Sequence, residues 1–216
     1  SIIGPNGAGK TTLFNLLTGL LKPDQGTMFL MGEDVTKLPT HKLVKKGMAR
    51  SFQILNIFNK MTLYENIRIS VQAQKGHGKE LFASLNSLKE VNQRTEEIIA
   101  MLGFEGKEEL IAENLPYGDR RILEIGIVLG SNPKLILLDE PTSGMGSSES
   151  GKMTSFIKKL SRDVDIVVIE HDMNLVLTIS DRIIVLDQGA VIADGNPDEI
   201  KKNERVQEAY LGGLKV

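Results

Sequence analysis

The chain has 216 residues, and its 26 lysines and arginines against 28 aspartates and glutamates leave a net charge of −2. A hydrophobic content of 41% with 25% charged residues is typical of a globular domain, and it excludes disordered, collagen-like and coiled-coil classes. The near-neutral charge gives no electrostatic indication of nucleic-acid binding, and the lack of cysteine excludes disulfides and thiolate metal sites.

The longest run without a charged residue is Thr11–Leu21, well short of the roughly 20 apolar residues of a membrane-spanning helix. The chain begins Ser1-Ile2-Ile3-Gly4, with neither an initiator methionine nor a signal-peptide pattern. Because strands average about 5–6 residues, we expect that the first strand is cut and that the chain is a segment lacking its N-terminus.

The predicted elements alternate between strands and helices. Apolar runs predict a strand that ends at Ile3, and further strands over Thr27–Met31, Leu135–Leu138, Ile166–Ile169 and Ile183–Leu186. Helical patterns lie over Lys10–Leu20, Leu63–Ala73, Leu81–Leu102, Asp119–Leu129, Ser148–Leu160 and Met173–Ile179. Since the last three strand runs are continuously apolar, we predict an α/β fold with a mainly parallel sheet and helical crossovers. The mostly helical segment at about 62–130 is predicted to be an inserted subdomain.

A glycine-rich loop follows the first strand: Gly4-Pro5-Asn6-Gly7-Ala8-Gly9-Lys10-Thr11. Two glycines separated by four residues and followed by Lys and Thr form the phosphate-binding pattern of P-loop nucleoside triphosphatases (NTPases). Such glycines let backbone N–H groups wrap around phosphate oxygens, and the start of the next helix adds positive potential. We expect Lys10 to reach the β- and γ-phosphates and the Thr11 hydroxyl to bind Mg²⁺, with Thr12 also at the nucleotide.

Two later strands are predicted to end in polar residues. Asp139 and Glu140 end one of them, and strand alternation points their side chains in different directions. Asp139 is therefore the candidate Mg²⁺ ligand, and Glu140 is the candidate general base or water-positioning group. The other strand leads into a polar triplet in which His171 is expected to hydrogen-bond a γ-phosphate oxygen or the attacking water. His41 and His77 lack such a context and are interpreted as surface residues.

Taken in order, these motifs resemble those of the ATP-binding cassette (ABC) ATPases, over almost the whole chain. Leu115–Asp119 occupies the place of that family's signature motif, and Gln53 that of its Q-loop glutamine. Ser143–Gly146 occupies the place of its D-loop, and His171 that of its switch histidine.

The resemblance implies one ABC ATPase domain over 1–216, with a catalytic core at 1–61 and 131–216 and the helical subdomain at about 62–130. It implies that Gln53 acts in catalysis and on the metal, and that Tyr117 and Gly118 bind nucleotide. It also implies that N-terminal antiparallel strands, which carry the adenine-stacking aromatic residue, are missing or truncated.

A closer resemblance is to the ATPase subunits of branched-chain amino acid importers, which carry the Tyr-Gly form of the signature. Similar segments are Ala49–Gln53, Met61–Asn66, Glu170–Met173 and the run from Ala193 to Gly212. The implied protein binds ATP and Mg²⁺ and hydrolyses ATP as a head-to-tail dimer with a second ABC ATPase, identical or paralogous. The resemblance further implies that the partners are membrane permease subunits and, indirectly, a solute-binding protein, and that nucleic acid is not a partner. It also implies a cytoplasmic location on the inner face of the cell membrane.

Three alternatives stay open from the sequence. One is a soluble ABC-type ATPase that acts on nucleic acid or ribosomes, although no coiled-coil insertion, zinc hook or tandem cassette is visible. Another is an importer of urea or short amides. The third is a nucleotide-dependent interaction module without hydrolysis, because Asp119 stands where the family usually has Gln and Gly146 where it has Asp or Asn. Pro116, in place of a common Ser, offers no hydroxyl to phosphate.

Overall fold

The computed structural model describes residues 1–51, 57–75 and 88–211. The strands are β1 (Ile2–Ile3), β2 (Phe29–Leu30), β3 (Glu33–Asp34), β4 (Met48–Arg50), β5 (Leu135–Asp139), β6 (Asp165–Ile169), β7 (Ile183–Asp187) and β8 (Ala190–Gly195). The helices are α1 (Lys10–Leu17), α2 (Thr40–Lys45), α3 (Leu63–Gln74), α4 (Lys89–Leu102), α5 (Tyr117–Gly130), α6 (Ser147–Leu160), α7 (Met173–Ile179), α8 (Pro197–Lys202) and α9 (Glu204–Leu211).

The main sheet has the strand order β4-β5-β6-β1-β7-β8, and β2 and β3 form a separate antiparallel pair. β1 runs parallel to β6 and β7, with Ile2 opposite both Ile169 and Ile184, whereas β8 runs antiparallel to β7. The predicted mainly parallel α/β fold is therefore confirmed. The continuous apolar run of β5 is buried as predicted, since Ile136, Leu137 and Leu138 are at most 1% exposed.

The chain divides into two compact units. Unit 1 comprises Ser1–Lys46, Leu137–Pro141 and Ile166–Val216, and unit 2 comprises Gly47–Ile136 and Thr142–Asp165. In unit 1, aliphatic side chains from β1, α7, β7, α8 and α9 form one buried cluster: Ile3, Val176, Ile183, Val185, Ile200 and Val206. This packing supports β1 directly before the phosphate-binding loop.

In unit 2, α3 packs against both α4 and α5. α3 begins with a capping box, where the Thr62 hydroxyl accepts from Glu65 N–H at 3.1 Å and the Glu65 carboxylate accepts from Thr62 N–H at 2.8 Å. Leu63, Ile67 and Val71 are buried along α3 at a spacing of four residues, which places them on one face of the helix.

Three elements are shorter than the sequence predicts. α1 ends at Leu17 rather than Leu20, because Gly19 adopts a left-handed φ of 69° that ends the helix. The strand predicted over Thr27–Met31 is confined to Phe29–Leu30, where it turns into a hairpin. α4 begins only at Lys89, because Leu88 has a non-helical φ of −118° and ψ of 63°; the predicted part before it extends outside the described residues.

Several elements were not predicted from the sequence, namely α2, β3, β4, β8, α8 and α9. Each spans eight residues or fewer, so the apolar periodicity that reveals longer elements is weak in them. Within the part of the chain that the structure describes, no helix has both the length and the apolar character needed to cross a membrane.

Candidate active site

The phosphate-binding loop connects β1 to α1 in unit 1, as the sequence predicts. Gly7 and Gly9 have φ values of 81° and 97°, which L side chains rarely adopt. A Cβ atom at Gly4 would lie only 2.1 Å from the carbonyl oxygen of Leu186, so only glycine fits there. The loop thus brings backbone N–H groups together at the start of α1, where the helix dipole favours an anion.

Lys10, the first residue of α1, folds back over this loop. Its Nζ donates hydrogen bonds to the carbonyl oxygens of Gly4 and Pro5, at 2.7 and 3.0 Å. Burial lowers the pKa of Lys10, and the nearby carboxylates of Glu140 and Asp139 oppose that shift. The ammonium group is therefore held between the loop and the two acids that the sequence singled out.

The remaining loop residues differ in exposure. Ala8 is buried, Pro5 is partly buried, and Asn6, Thr11 and Thr12 are exposed. Since α1 begins at Lys10, Thr11 and Thr12 lie in the first turn of the helix, next to its free N–H groups.

Asp139 and Glu140 lie where β5 ends. Asp139 is buried, at 6% exposure, and has further interactions within the protein. Glu140 adopts a left-handed φ of 48°, a conformation that costs a non-glycine residue about 1–2 kcal/mol. A hydrogen bond of 2.9 Å from Glu140 N–H to the carbonyl oxygen of Ile169 in β6 supports this turn. The candidate general base is therefore held in a strained backbone conformation.

The structure brings His171 close to Glu140. The Nδ1 atom of His171 lies 3.9 Å from Glu140 Oε1 and 3.8 Å from Glu170 Oε2, both beyond the range of a direct hydrogen bond. Glu170 is completely buried, and its carboxylate accepts from His171 N–H at 3.1 Å. The His171 side chain is 65% exposed and so accessible from solvent.

Glu170 and Asp172 flank this histidine, and neither was assigned a role from the sequence. The Asp172 carboxylate caps α7, accepting from Asn174 and Leu175 N–H at 2.9 and 3.3 Å. Glu170 is the missed partner of His171. A buried acid directly after an apolar strand could have signalled it, but the same pattern also occurs at ordinary strand ends.

The signature segment begins α5 in unit 2. The Tyr117 hydroxyl donates to the carbonyl oxygen of Ser143 at 3.3 Å, and Gly118 N–H donates to Glu149 Oε1 at 3.1 Å. Asp119, which replaces the usual glutamine, lies 3.9 Å from Lys107 Nζ. This cation offsets part of the negative charge that Asp119 brings to the signature segment.

Two of the residues named from the sequence, Gln53 and His77, have no described position, and a third, His41, lies on an element that carries none of the other candidate residues. Gln53 and His77 lie outside the described residues, whereas His41 is exposed on α2, as expected. In residues 1–51, 57–75 and 88–211, no group of three or more His, Cys, Asp or Glu side chains could hold a metal ion. The candidate Mg²⁺ ligands, Thr11 and Asp139, are instead a hydroxyl and a carboxylate, the oxygen donors that Mg²⁺ takes together with substrate phosphates.

A glycine loop between a strand and a helix, with its lysine held near two strand-end acids, defines a P-loop NTPase. The family profile described as ABC transporter matches residues 1–143, and that of the branched-chain amino acid ATP-binding cassette transporter matches residues 190–214.

The chain is 40% identical to the high-affinity branched-chain amino acid transport ATP-binding protein BraF of Pseudomonas aeruginosa, over 98% of this chain and 86% of that protein. Identity to LivG of Escherichia coli K12, of the same description, is 38% with the same coverage. Among solved structures, the ADP conformation of MJ1267, an ATP-binding cassette of an ABC transporter, is 29% identical with a TM-score of 0.80, over 98% of this chain and 86% of that one. The chain therefore belongs to the ATP-binding cassette family of ABC transporters, in the branched-chain amino acid subgroup.

Proposed function

We propose that the chain is the ATP-hydrolysing subunit of an ABC importer for branched-chain or related hydrophobic amino acids. The observation that carries the enzymatic part is the cluster of Lys10, Glu140 and His171 beside the phosphate-binding loop in unit 1. The transported solute is inferred from the relatives, since the two most similar ones described above are both named for branched-chain amino acid transport.

The loop residues Gly4–Thr12 bind the triphosphate of ATP. Backbone N–H groups and the start of α1 supply donors and positive potential, and Lys10 Nζ exchanges the carbonyls of Gly4 and Pro5 for phosphate oxygens. The two carbonyls thus keep the ammonium group at the loop before the substrate arrives.

Glu140 activates the attacking water. Its carboxylate takes a proton from the water while the water oxygen bonds to the γ-phosphorus, and the bond from that phosphorus to the bridging oxygen of ADP breaks. His171, 3.9 Å from Glu140, hydrogen-bonds a γ-phosphate oxygen or the same water. Gln53 is proposed to act in catalysis together with Glu140 and His171, and to bind the metal.

Thr11 and Asp139, with Gln53, are the residues that would hold Mg²⁺ with the nucleotide. Mg²⁺ held by these residues would supply positive charge against the negative charge that develops on the phosphate oxygens. Because Asp139 is buried, its carboxylate is restricted in position by the surrounding protein.

Tyr117 and Gly118 are proposed to contact the ATP bound to a second ABC ATPase subunit, identical or paralogous. In this arrangement ATP joins two subunits, and hydrolysis removes the charge that held them together. The segment at about 62–130, as a helical subdomain, then contacts membrane permease subunits from the cytoplasmic side, and a solute-binding protein participates indirectly.

The variant Glu140→Gln tests the enzymatic proposal. We expect turnover to fall by about 10²- to 10⁴-fold, because the amide cannot accept the proton, while ATP affinity stays close to that of the unaltered chain. Phosphate release and calorimetric ATP binding measure the two quantities. Glu113→Gln is the control, since Glu113 is paired with Lys60 at 2.8 Å on the surface. A turnover in Glu140→Gln equal to that of the unaltered chain would contradict the assignment of Glu140 as the general base.

A further inference from the structure

Glu149 makes a contact that neither its helix nor the proposed chemistry requires. It lies in the first turn of α6, and its two carboxylate oxygens accept from two different backbone amides. Oε1 accepts from Gly118 N–H at 3.1 Å, and Oε2 accepts from Gly146 N–H at 3.4 Å. One carboxylate therefore connects the beginning of α5 with the beginning of α6, although Gly118 and Glu149 lie 31 residues apart in the chain.

A second connection joins the same two segments. The Tyr117 hydroxyl donates to the carbonyl oxygen of Ser143 at 3.3 Å and accepts from Arg121 Nε at 3.1 Å. The Arg121 guanidinium also lies 5.5 Å from the centre of the Tyr117 ring. Arg121 is itself fixed by a buried ion pair with Glu124 at 3.3 Å. The Tyr117 hydroxyl is therefore held by two partners, the Ser143 carbonyl and the Arg121 guanidinium.

The absence of a side chain at position 118 permits the carboxylate contact. A Cβ atom on Gly118 would lie 3.1 Å from Glu149 Oε1 and 3.3 Å from Glu149 Cβ, which is tighter than ordinary contacts. Gly118 is buried, and its N–H is directed to Glu149 rather than to solvent. A carboxylate at a helix start also offsets the partial positive charge of the free N–H groups.

We propose that Glu149 is a positioning residue, which holds the start of α5 against the segment 143–149 so that the neighbouring amides of the signature are oriented to bind phosphate. This inference rests on the proposed function, because it assigns the signature segment to nucleotide binding. It also refines that function: because the Gly118 N–H donates to Glu149, the proposed contact of Gly118 with ATP does not use this N–H, and the neighbouring amides of the same turn bind the phosphate.

The test compares Glu149→Ala with Glu149→Gln. Alanine removes both acceptors, and we expect kcat to fall about tenfold or more, because a hydrogen bond to a charged group is lost where orientation matters. Affinity for a non-hydrolysable ATP analogue, measured on the single subunit, is expected to stay unchanged. Glutamine keeps one oxygen for Gly118 and is expected to restore most of kcat. Hydrogen exchange at the Gly118 amide, followed by NMR, is expected to accelerate in the alanine variant and to stay slow in the glutamine variant.

Glu199→Ala is the matched control. Glu199 occupies the same position in α8 and accepts from Asn196 N–H at 2.9 Å, so its loss also weakens a helix start, but far from Gly118 in sequence and in unit 1. It is expected to lower the melting temperature about as much as Glu149→Ala without changing kcat.

Three results overturn the inference. Turnover of Glu149→Ala equal to that of the unaltered chain overturns it alone and leaves the proposed function standing. A rise in turnover or in ATP affinity also overturns it, because Glu149 then competes with phosphate for the Gly118 amide. Failure of the unaltered chain to hydrolyse ATP overturns the proposed function, and the inference with it.

Discussion

At Lys10, two electrostatic effects oppose each other. Burial lowers the pKa of its ammonium group, and the carboxylates of Glu140 and Asp139 raise it. The carbonyl oxygens of Gly4 and Pro5 meanwhile accept hydrogen bonds from the ammonium and direct it to the loop. The side chain is thus oriented before ATP arrives, which reduces the ordering that binding requires.

Lys10→Ala is therefore expected to weaken ATP binding itself. The loss of a charge-assisted hydrogen bond to phosphate predicts an affinity at least about tenfold lower. Titration calorimetry with ATP measures this change directly. Lys22→Ala removes an exposed lysine beyond α1 and is expected to leave the affinity unchanged. An unchanged affinity in Lys10→Ala counts against the phosphate-loop interpretation.

At the scale of elements, caps and cross-strand pairs decide where helices and strands end. Asp172 caps α7, and the observed helix Met173–Ile179 agrees with the sequence prediction at both ends. The β7–β8 hairpin is held by a bidentate pair, in which Arg182 Nε and Nη2 donate to the two carboxylate oxygens of Asp194 at 2.7 and 2.6 Å. The hydrogen bond from Arg182 lowers the pKa of Asp194 below its ordinary value.

This pair predicts a pH-dependent contribution to stability. Because the pKa of Asp194 is lower in the folded state, its contribution is complete above the ordinary value of about 3.9, and it is lost as pH falls through the folded-state pKa. The difference in unfolding free energy between the unaltered chain and Asp194→Asn should therefore shrink when denaturant unfolding is moved from neutral to acidic pH. In an Arg182→Ala background the substitution should have little pH dependence. A difference that stays constant with pH contradicts the pairing.

At the scale of the whole molecule, the phosphate-binding loop and the signature segment serve two different nucleotide sites in the proposed function. A chain that binds ATP but cannot hydrolyse it should then accumulate as the ATP-joined dimer, because the charge that joins the subunits is never removed.

Glu140→Gln is expected to form this dimer in the presence of ATP. Light scattering should give about twice the chain mass of 23.8 kDa with ATP, and the mass of one chain without it. Adding Lys10→Ala to the same variant should shift dimer formation to an ATP concentration at least about tenfold higher, since the affinity for ATP falls by that factor. A Glu140→Gln chain that binds ATP and stays monomeric would refute the shared-site arrangement.

Much of the fold and of the candidate site could be predicted from the chain alone. The phosphate-binding loop, the end of β5 at Asp139, the end of β6 at Ile169 and the bounds of α7 all depend on local preferences: glycine conformation, apolar runs and a capping aspartate. The end of α1 and the start of α4 were mislocated, because the apolar pattern continues past the left-handed Gly19 and past the non-helical Leu88. Strand β8 escaped prediction because it acquires its structure from pairing with its neighbour β7.

The sequence by itself determined the kind of chemistry, since the residues that bind phosphate and the acids beyond the strands are recognisable from their order and spacing. Only the tertiary structure decided which of them meet: β1 lies between β6 and β7, His171 comes within 3.9 Å of Glu140, and the Glu149 carboxylate reaches the Gly118 amide. Local patterns report the backbone preferences of neighbouring residues. Contacts between residues distant in the chain arise from strand pairing and helix packing, which burial of the whole core selects.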